Sequence, residues 1–276
     1  MHLIHTIAIL GGDRRQFYLA RQFLSEGYTV LCSRVPEIPD AAALLRDTVS
    51  EAELIILPMP ALNDVGNIRT SGAPLPLDTV LESAKPGTIL AGGKLSAVQE
   101  RAAAFGLCVI DYAKDPSLAV LNAVPTAEGA IQIAMEHTDC TIWSSRVLII
   151  GFGRIGKALA ARLHHLGAEV CVSARSPSDL AAIRAEGYRA DRTGTYAKGL
   201  QQYDCIFNTV PAPVLLQHHL DTLRPDAILI DLASSPGGLA PSCTSTERCI
   251  PALALPGRVA PKTAARFIHG AIVSAI

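Results

Sequence analysis

The stretch "VLIIGFGRIGKALAARLHHLGAEVCVSARS", Val147–Ser176, decides the fold. Val147–Ile150 is a short apolar run that ends at a glycine, which is how a buried parallel strand reads. Gly151, Gly153 and Gly156 follow in G-x-G-x-x-G spacing and open a helical pattern. Between a strand and a helix each glycine has its own reason. The first permits the tight turn, the second lets a pyrophosphate approach the backbone, and the third lets helix and strand pack closely. The helix start adds N–H groups without intrahelical partners and a partial positive charge. Gly151, Gly153, Arg154, Ile155 and Gly156 are therefore expected to hold the phosphates of a dinucleotide.

The next strand ends in "SARS", Ser173–Ser176. A site that prefers NAD carries an acidic residue here to accept from the ribose 2′-hydroxyl. Instead Ala174 leads into Arg175, whose guanidinium suits a 2′-phosphate, and Ser176, which can donate one further hydrogen bond. With no carboxylate in view to repel a phosphate, NADP(H) is the expected cofactor. Ligands lie at the carboxyl ends of parallel strands. "NTVPAP" (Asn208–Pro213) should bring Thr209, Val210 and Pro211 to the adenosine side, and "DLASSPGG" (Asp231–Gly238) should bring Leu232, Ala233 and Ser234 toward the nicotinamide.

Short apolar runs alternate with amphipathic stretches along the chain, which predicts two doubly wound parallel α/β domains. Strands are expected at 6–10, 29–32, 54–57, 88–91 and 107–110, then at 146–150, 169–174, 204–209, 227–232 and 249–254. The division expected is a flavodoxin-like substrate domain (1–125), a connecting helix (126–143) with Thr126 as N-cap, a Rossmann dinucleotide-binding domain (144–257), and a C-terminal helix (258–276) returning to the first domain. Residues 58–76, rich in Pro, Gly and Asn, are expected to form an irregular loop.

At 276 residues, 49% hydrophobic and 18% charged, the chain is expected to be a globular protein. A net charge of −1 argues against nucleic acid as a partner. The first ten residues do not read as a secretory signal and no apolar run reaches a membrane span, so a cytoplasmic location is expected. Seven cysteines without a C-x-x-C pair suggest reduced, buried thiols, and no metal site is expected.

A second glycine turn stands near the start, in "IAILGGDRRQ" (Ile7–Gln16). Counted from Gly11, the other two fingerprint positions hold Asp13 and Gln16, so this turn is not a dinucleotide site. Gly12, Arg14 and Arg15 at a helix start instead suit a small carboxylate.

The segments "GGDRRQ", "PTAEGAIQIAMEHTDCTI" (Pro125–Ile142), "GFGRIG", "DLASSPGG" and "LPGRVAPKTA" (Leu255–Ala264) occur in order over nearly the whole chain. Together they resemble the A subunit of bacterial dipicolinate synthases. The resemblance implies NADP-linked oxidation of a dihydrodipicolinate-type intermediate to dipicolinate, a spore component made in the mother cell. It further implies that the partner is a flavoprotein-like B subunit, and a homo-oligomer is expected. Where the family pattern has an arginine in "DLAS-R-PGG" this chain has Ser235, and Arg14 is a candidate replacement.

Both substrate and product are dicarboxylates, so cations and amides should line their pocket. Arg14, Arg15 and Arg258 are candidates, with Asn122 and Thr126 near the domain junction to orient the ring. Lys262 is expected to position a carboxylate or donate a proton, and His137 is a candidate base. Two other functions stay open: a 2-hydroxy or 2-oxo acid oxidoreductase on the same scaffold, and a non-catalytic cofactor-binding protein.

Overall fold

The computed structural model describes residues 4–38, 45–196, 199–243 and 248–276. They divide into two compact units, one running to Asn122 and taking in Ala260–Ile276, the other Ala123–Val259.

In the first unit, β1 (Thr6–Leu10), β2 (Thr29–Ser33), β3 (Leu54–Ile56), β4 (Ile89–Gly92) and β5 (Cys108–Asp111) form a parallel sheet in the order β2-β1-β3-β4-β5. Helices α1 (Arg14–Ser25), α2 (Leu45–Ser50), α3 (Leu77–Ser83), α4 (Gln99–Ala104) and α5 (Pro116–Leu121) accompany the strands. The central strands read as unbroken apolar runs because both faces of the sheet are covered. Ile7 and Ile9 share a core with Leu19 and Phe23 of α1, while Ala8 and Leu10 share the opposite one with Val80 and Leu81 of α3. Residues 58–76 contain no helix or strand. Isolated bridges pair Gly12 with Thr70, and Ile68 with Leu62 and Leu75, around a fully buried Ile68.

The second unit opens with α6 (Ala123–Glu136). It continues through β6 (Arg146–Ile150), α7 (Arg154–His165), β7 (Glu169–Ala174), α8 (Pro177–Ala185), β8 (Arg189–Arg192), β9 (Cys205–Asn208), α9 (Gln217–Leu220), β10 (Ile228–Asp231), β11 (Cys249–Pro251) and α10 (Leu255–Val259). All six strands are parallel, in the order β11-β10-β9-β6-β7-β8. The sheet grows one way from β6 through β7 and the other way through β9, and such a reversal opens a ligand crevice at the carboxyl ends of the strands. The last helix, α11 (Pro261–Val273), belongs to the first unit and packs along α1. Its buried residues, Ala264, Ala265, Ile268, Ala271 and Ile272, recur at helical spacing.

Three expectations need correction. The strand β8 was not foreseen, because "RADR" carries charges at the sheet edge, where they discourage pairing with a further strand. The helix expected to be capped by Thr126 starts at Ala123, so Thr126 is buried inside it rather than standing at its N-cap. Pro125 is tolerated there because first-turn amides need no intrahelical partner. The thiols are not uniformly buried: Cys108 and Cys140 are exposed. Burial pushes the Cys205 thiol up to about 12, aided by the charge of Asp204. One helical run, Pro116–Glu136, has the length and apolarity to cross a membrane, but 56% of its apolar window is buried in the protein, as in a core helix.

If α11 completes the first core, Ile268→Ala should lower stability by about 2–4 kcal/mol. Denaturant unfolding measures this, and a change within error would show that α11 contributes little to that core.

Candidate functional site

The turn between β6 and α7 is built as its glycines require. Gly151 sits in the left-handed region at φ 101°, and a Cβ there would press on the Thr209 hydroxyl and Val210. A Cβ on Gly156 would collide with the Gly151 carbonyl oxygen, so helix and strand touch at this point. Gly153 is the opposite case, with nothing within 4 Å of where its Cβ would stand. It is also the N-cap of α7, and it offers the helix no side-chain cap. The first amides of α7 therefore meet open space on one side and have no internal anion, an arrangement that fits a diphosphate.

A cleft of about 700 Å³ lies beside this turn, lined by Gly151, Phe152, Gly153, Ala174, Arg175, Ser176, Asp179, Thr193, Thr209, Val210 and Pro211. It brings together eight residues expected at the cofactor site. Arg154, Ile155 and Gly156 form the first turn of α7, while Leu232, Ala233 and Ser234 follow β10 at the same edge of the sheet without lining the cleft. Arg175 is exposed and makes no hydrogen bond or ion pair among the described residues. Ser176 Oγ accepts from the Asp179 amide at 3.1 Å and so caps α8; it also lies 3.0 Å from Ser178 Oγ. Asp179, which lines the same cleft, corrects the expectation that no carboxylate stands beside Arg175 and Ser176. The signal was present in the S-x-x-D spacing of a helix cap.

The loops after β9 and β10 are held by one part-buried pair. Asn208 and Asp231 are register partners at the ends of neighbouring strands. The fully buried Asn208 donates from Nδ2 to Asp231 Oδ1 at 2.8 Å and to the Val210 carbonyl at 3.1 Å, and its Oδ1 accepts from the Val210 amide at 3.2 Å. Asp231 also accepts from the amides of Ala233 at 3.1 Å and Gly238 at 2.9 Å. A Cβ on Gly238 would run into the Asn208 amide. Sequence reasoning named both loops but missed the side chains that shape them.

The β1–α1 turn has the opposite electrostatics. Gly11 N–H donates to the Ser33 carbonyl at 2.9 Å, and Gly12 N–H to the Arg69 carbonyl at 2.6 Å. The Asp13 carboxylate caps α1 by accepting from the Arg15 amide at 2.9 Å. It also takes the Arg15 guanidinium at 2.9 Å from Nε and 2.8 Å from Nη2, and Nη2 reaches the Met59 carbonyl at 2.8 Å. The chain's own carboxylate thus stands where a substrate carboxylate was expected, and Gly12 and Arg15 are engaged internally. Burial works to raise the Asp13 carboxyl, but the hydrogen bonds and charge of Arg15 outweigh it and hold it below the usual range. Arg14 pairs with Glu37 at 2.7 Å, with both side chains about half exposed. Such a surface pair contributes roughly 0–1 kcal/mol, so Arg14 is exchangeable.

His137 follows α6 with its Nδ1 2.9 Å from the Ile133 carbonyl. With Ser145, Cys205 and Ile228 it lines a cavity of about 400 Å³ at the amino ends of the strands. The cleft beside the glycine turn is at their carboxyl ends, a strand length of roughly 15 Å away, so His137 is not placed to act as the base there. Lys262 lies in the first turn of α11, in the first unit, and Arg258 lies in α10, in the second. Both are exposed and make no hydrogen bond or ion pair among the described residues. Asn122 ends α5, its N–H donating to the Leu118 carbonyl at 2.9 Å. Ser235 is exposed in the loop after β10.

A doubly wound sheet with an open glycine turn at its switch point marks the second unit as a dinucleotide-binding domain of the Rossmann type. Residues 127–236 match the family described as "D-isomer specific 2-hydroxyacid dehydrogenase, NAD binding domain", and residues 6–113 match the N-terminal domain of the dipicolinate synthase A subunit. The chain is 31% identical over 284 residues to the dipicolinate synthase A subunit of Bacillus subtilis (strain 168), covering 95% of this chain and 92% of that one. It belongs to the family of dipicolinate synthase A subunits. The crystal structure of the Bacillus halodurans A subunit matches with a TM-score of 0.84 at 26% identity, covering 98% of this chain and 97% of that one. The crystal structure of the Bacillus subtilis protein matches at 0.81 and 29%, covering 100% and 96%. A transhydrogenase from Sinorhizobium meliloti, at 0.72 and 16% identity over 98% and 92% of the chains, shares the fold.

Asp13→Asn should destabilise the first unit by about 1–2 kcal/mol near neutral pH, less than a fully buried pair because Asp13 is partly exposed. The folded carboxyl titrates below its unfolded value. Its contribution is therefore present above about pH 4 and is lost as pH falls through the folded value. Denaturant midpoints of wild type and variant should differ steadily from about pH 7 to 5 and converge below 4. A pH-independent gap would contradict the role given to the charge.

Proposed function

We propose that the protein carries out the NADP-dependent oxidation of a dihydrodipicolinate-type intermediate to dipicolinate, in the mother-cell cytoplasm of a sporulating bacterium, as a homo-oligomer working with a flavoprotein-like B subunit. The observation that carries the cofactor choice is Arg175, a guanidinium without a partner among the described residues, on the wall of the cleft beside the glycine turn. The family to which the chain belongs supports the substrate. When bound, the nicotinamide accepts the hydride that leaves a ring carbon; the second hydrogen departs as a proton, and pyridine aromaticity supplies driving force.

What the protein must do is orient a dicarboxylate. Lys262 and Arg258 are the candidate cations that no internal carboxylate has claimed, and Arg14 joins them by exchange with Glu37. Arg15 is held by Asp13 and acts as a strut for the turn rather than as a clamp. Asn122 and Thr126 orient the ring, and Lys262 holds a carboxylate by charge. The satisfied β1–α1 turn favours a second reading, in which this chain binds the cofactor and the partner performs the oxidation.

Wild type should bind NADPH more tightly than NADH, and Arg175→Ala should weaken NADPH by about tenfold with little effect on NADH. Equal or tighter NADH binding by wild type would sink the NADP assignment. Lys262→Ala and Arg258→Ala should raise the KM for the dihydropyridine in the assembled complex. If both leave activity intact while the complex still forms, the second reading holds.

A further inference from the structure

We propose that Asp179 is a specificity-determining residue that limits the preference for the 2′-phosphate, so that the cleft accepts both the phosphorylated and the unphosphorylated nicotinamide dinucleotide. The inference rests on the cofactor reading above. Asp179 is the third residue of α8, and its amide donates to Ser176 Oγ at 3.1 Å. Its side chain lines the same cleft as Arg175 and Ser176. Neither the Asp179 carboxylate nor the Arg175 guanidinium makes a hydrogen bond or ion pair among the described residues, although their charges are opposite and they stand four positions apart. Thr193, on the same wall, adds no charge and donates its hydroxyl to Ser173 Oγ at 3.1 Å.

One wall thus presents an unengaged donor fork and an unengaged acceptor. A ribose 2′-hydroxyl is a donor that a carboxylate accepts, and a 2′-phosphate is an acceptor with close to two negative charges. Arg175 favours the phosphate, whereas Asp179 favours the hydroxyl and repels the phosphate. A site with Arg175 alone would reject the unphosphorylated cofactor more strongly than this one does. The competing role for Asp179 is local: an acidic residue in a first turn is favourable to the helix dipole. That role affects stability equally with either cofactor, so the ratio of affinities separates the two.

The test is separate titration of NADPH and NADH into the full chain, read by the fluorescence of the reduced nicotinamide, with melting temperatures of the unliganded proteins. Asp179→Asn should tighten NADPH about fivefold, the scale of one charge contact in solvent, and weaken NADH. Asp179→Glu, which keeps the charge, should stay near wild type, and Arg175→Ala should lose NADPH affinity alone. If Asp179→Asn leaves the NADPH/NADH ratio unchanged, the inference is overturned, and a lowered melting temperature in that case assigns Asp179 to the helix dipole. If Arg175→Ala leaves the ratio unchanged, the cofactor reading fails instead.

Discussion

A helix that begins at the end of a parallel strand has N–H groups its own turns cannot satisfy. The chemistry of each unit depends on what fills that need. At α1 the chain supplies the answer itself: Asp13 caps the helix and binds the Arg15 side chain, while Gly12 N–H bonds to the 58–76 segment. At α7 it supplies none, since the capping residue is Gly153 and the space around it is open. Two similar strand–glycine–helix starts therefore have opposite consequences. The first is a closed, self-neutralised turn, and the second is open and uncapped by any side chain among the described residues.

The surrounding sheet turns that local difference into a site. In the second unit β6 is flanked by β7 and β9, so the turn after β6 is flanked by the loops after both. The Ala174–Ser176 segment brings a cation to one side. The loop after β9 is held on the other by Asn208, which is tied in turn to Asp231 on the next strand. The contacts of a dinucleotide would thus fall on backbone and side chains whose positions are set by part-buried hydrogen bonds. Preorganisation of this kind places the cost of ordering in folding rather than in binding.

Much of this was legible in the sequence because the governing constraints are local. The roles of Gly151, Gly153 and Gly156 follow from spacing and a flanking apolar run, and eight of the anticipated cofactor residues line one cleft. The two parallel sheets followed from alternation of strand and helix patterns, whereas their strand orders did not. What could not be read was which groups pair and which way they face. "GGDRRQ" shows two arginines but not that Asp13 claims one of them. His137 looks like a base until the strand polarity puts it at the far end of the sheet. The edge strand "RADR" lacks apolar alternation, and Asp179 is hidden in a capping motif whose charge also faces a cleft. In each case the missing information was direction or pairing rather than residue type.

The central claim is that the dinucleotide occupies the turn of the second unit and not its counterpart in the first. Amide hydrogen exchange with and without saturating NADPH tests this most directly. Added protection is expected over Gly151–Lys157 and Arg175–Ser176, with the exchange of Gly11–Gln16 unchanged. Protection at Gly11–Gln16 without any at Gly151–Lys157 would contradict it.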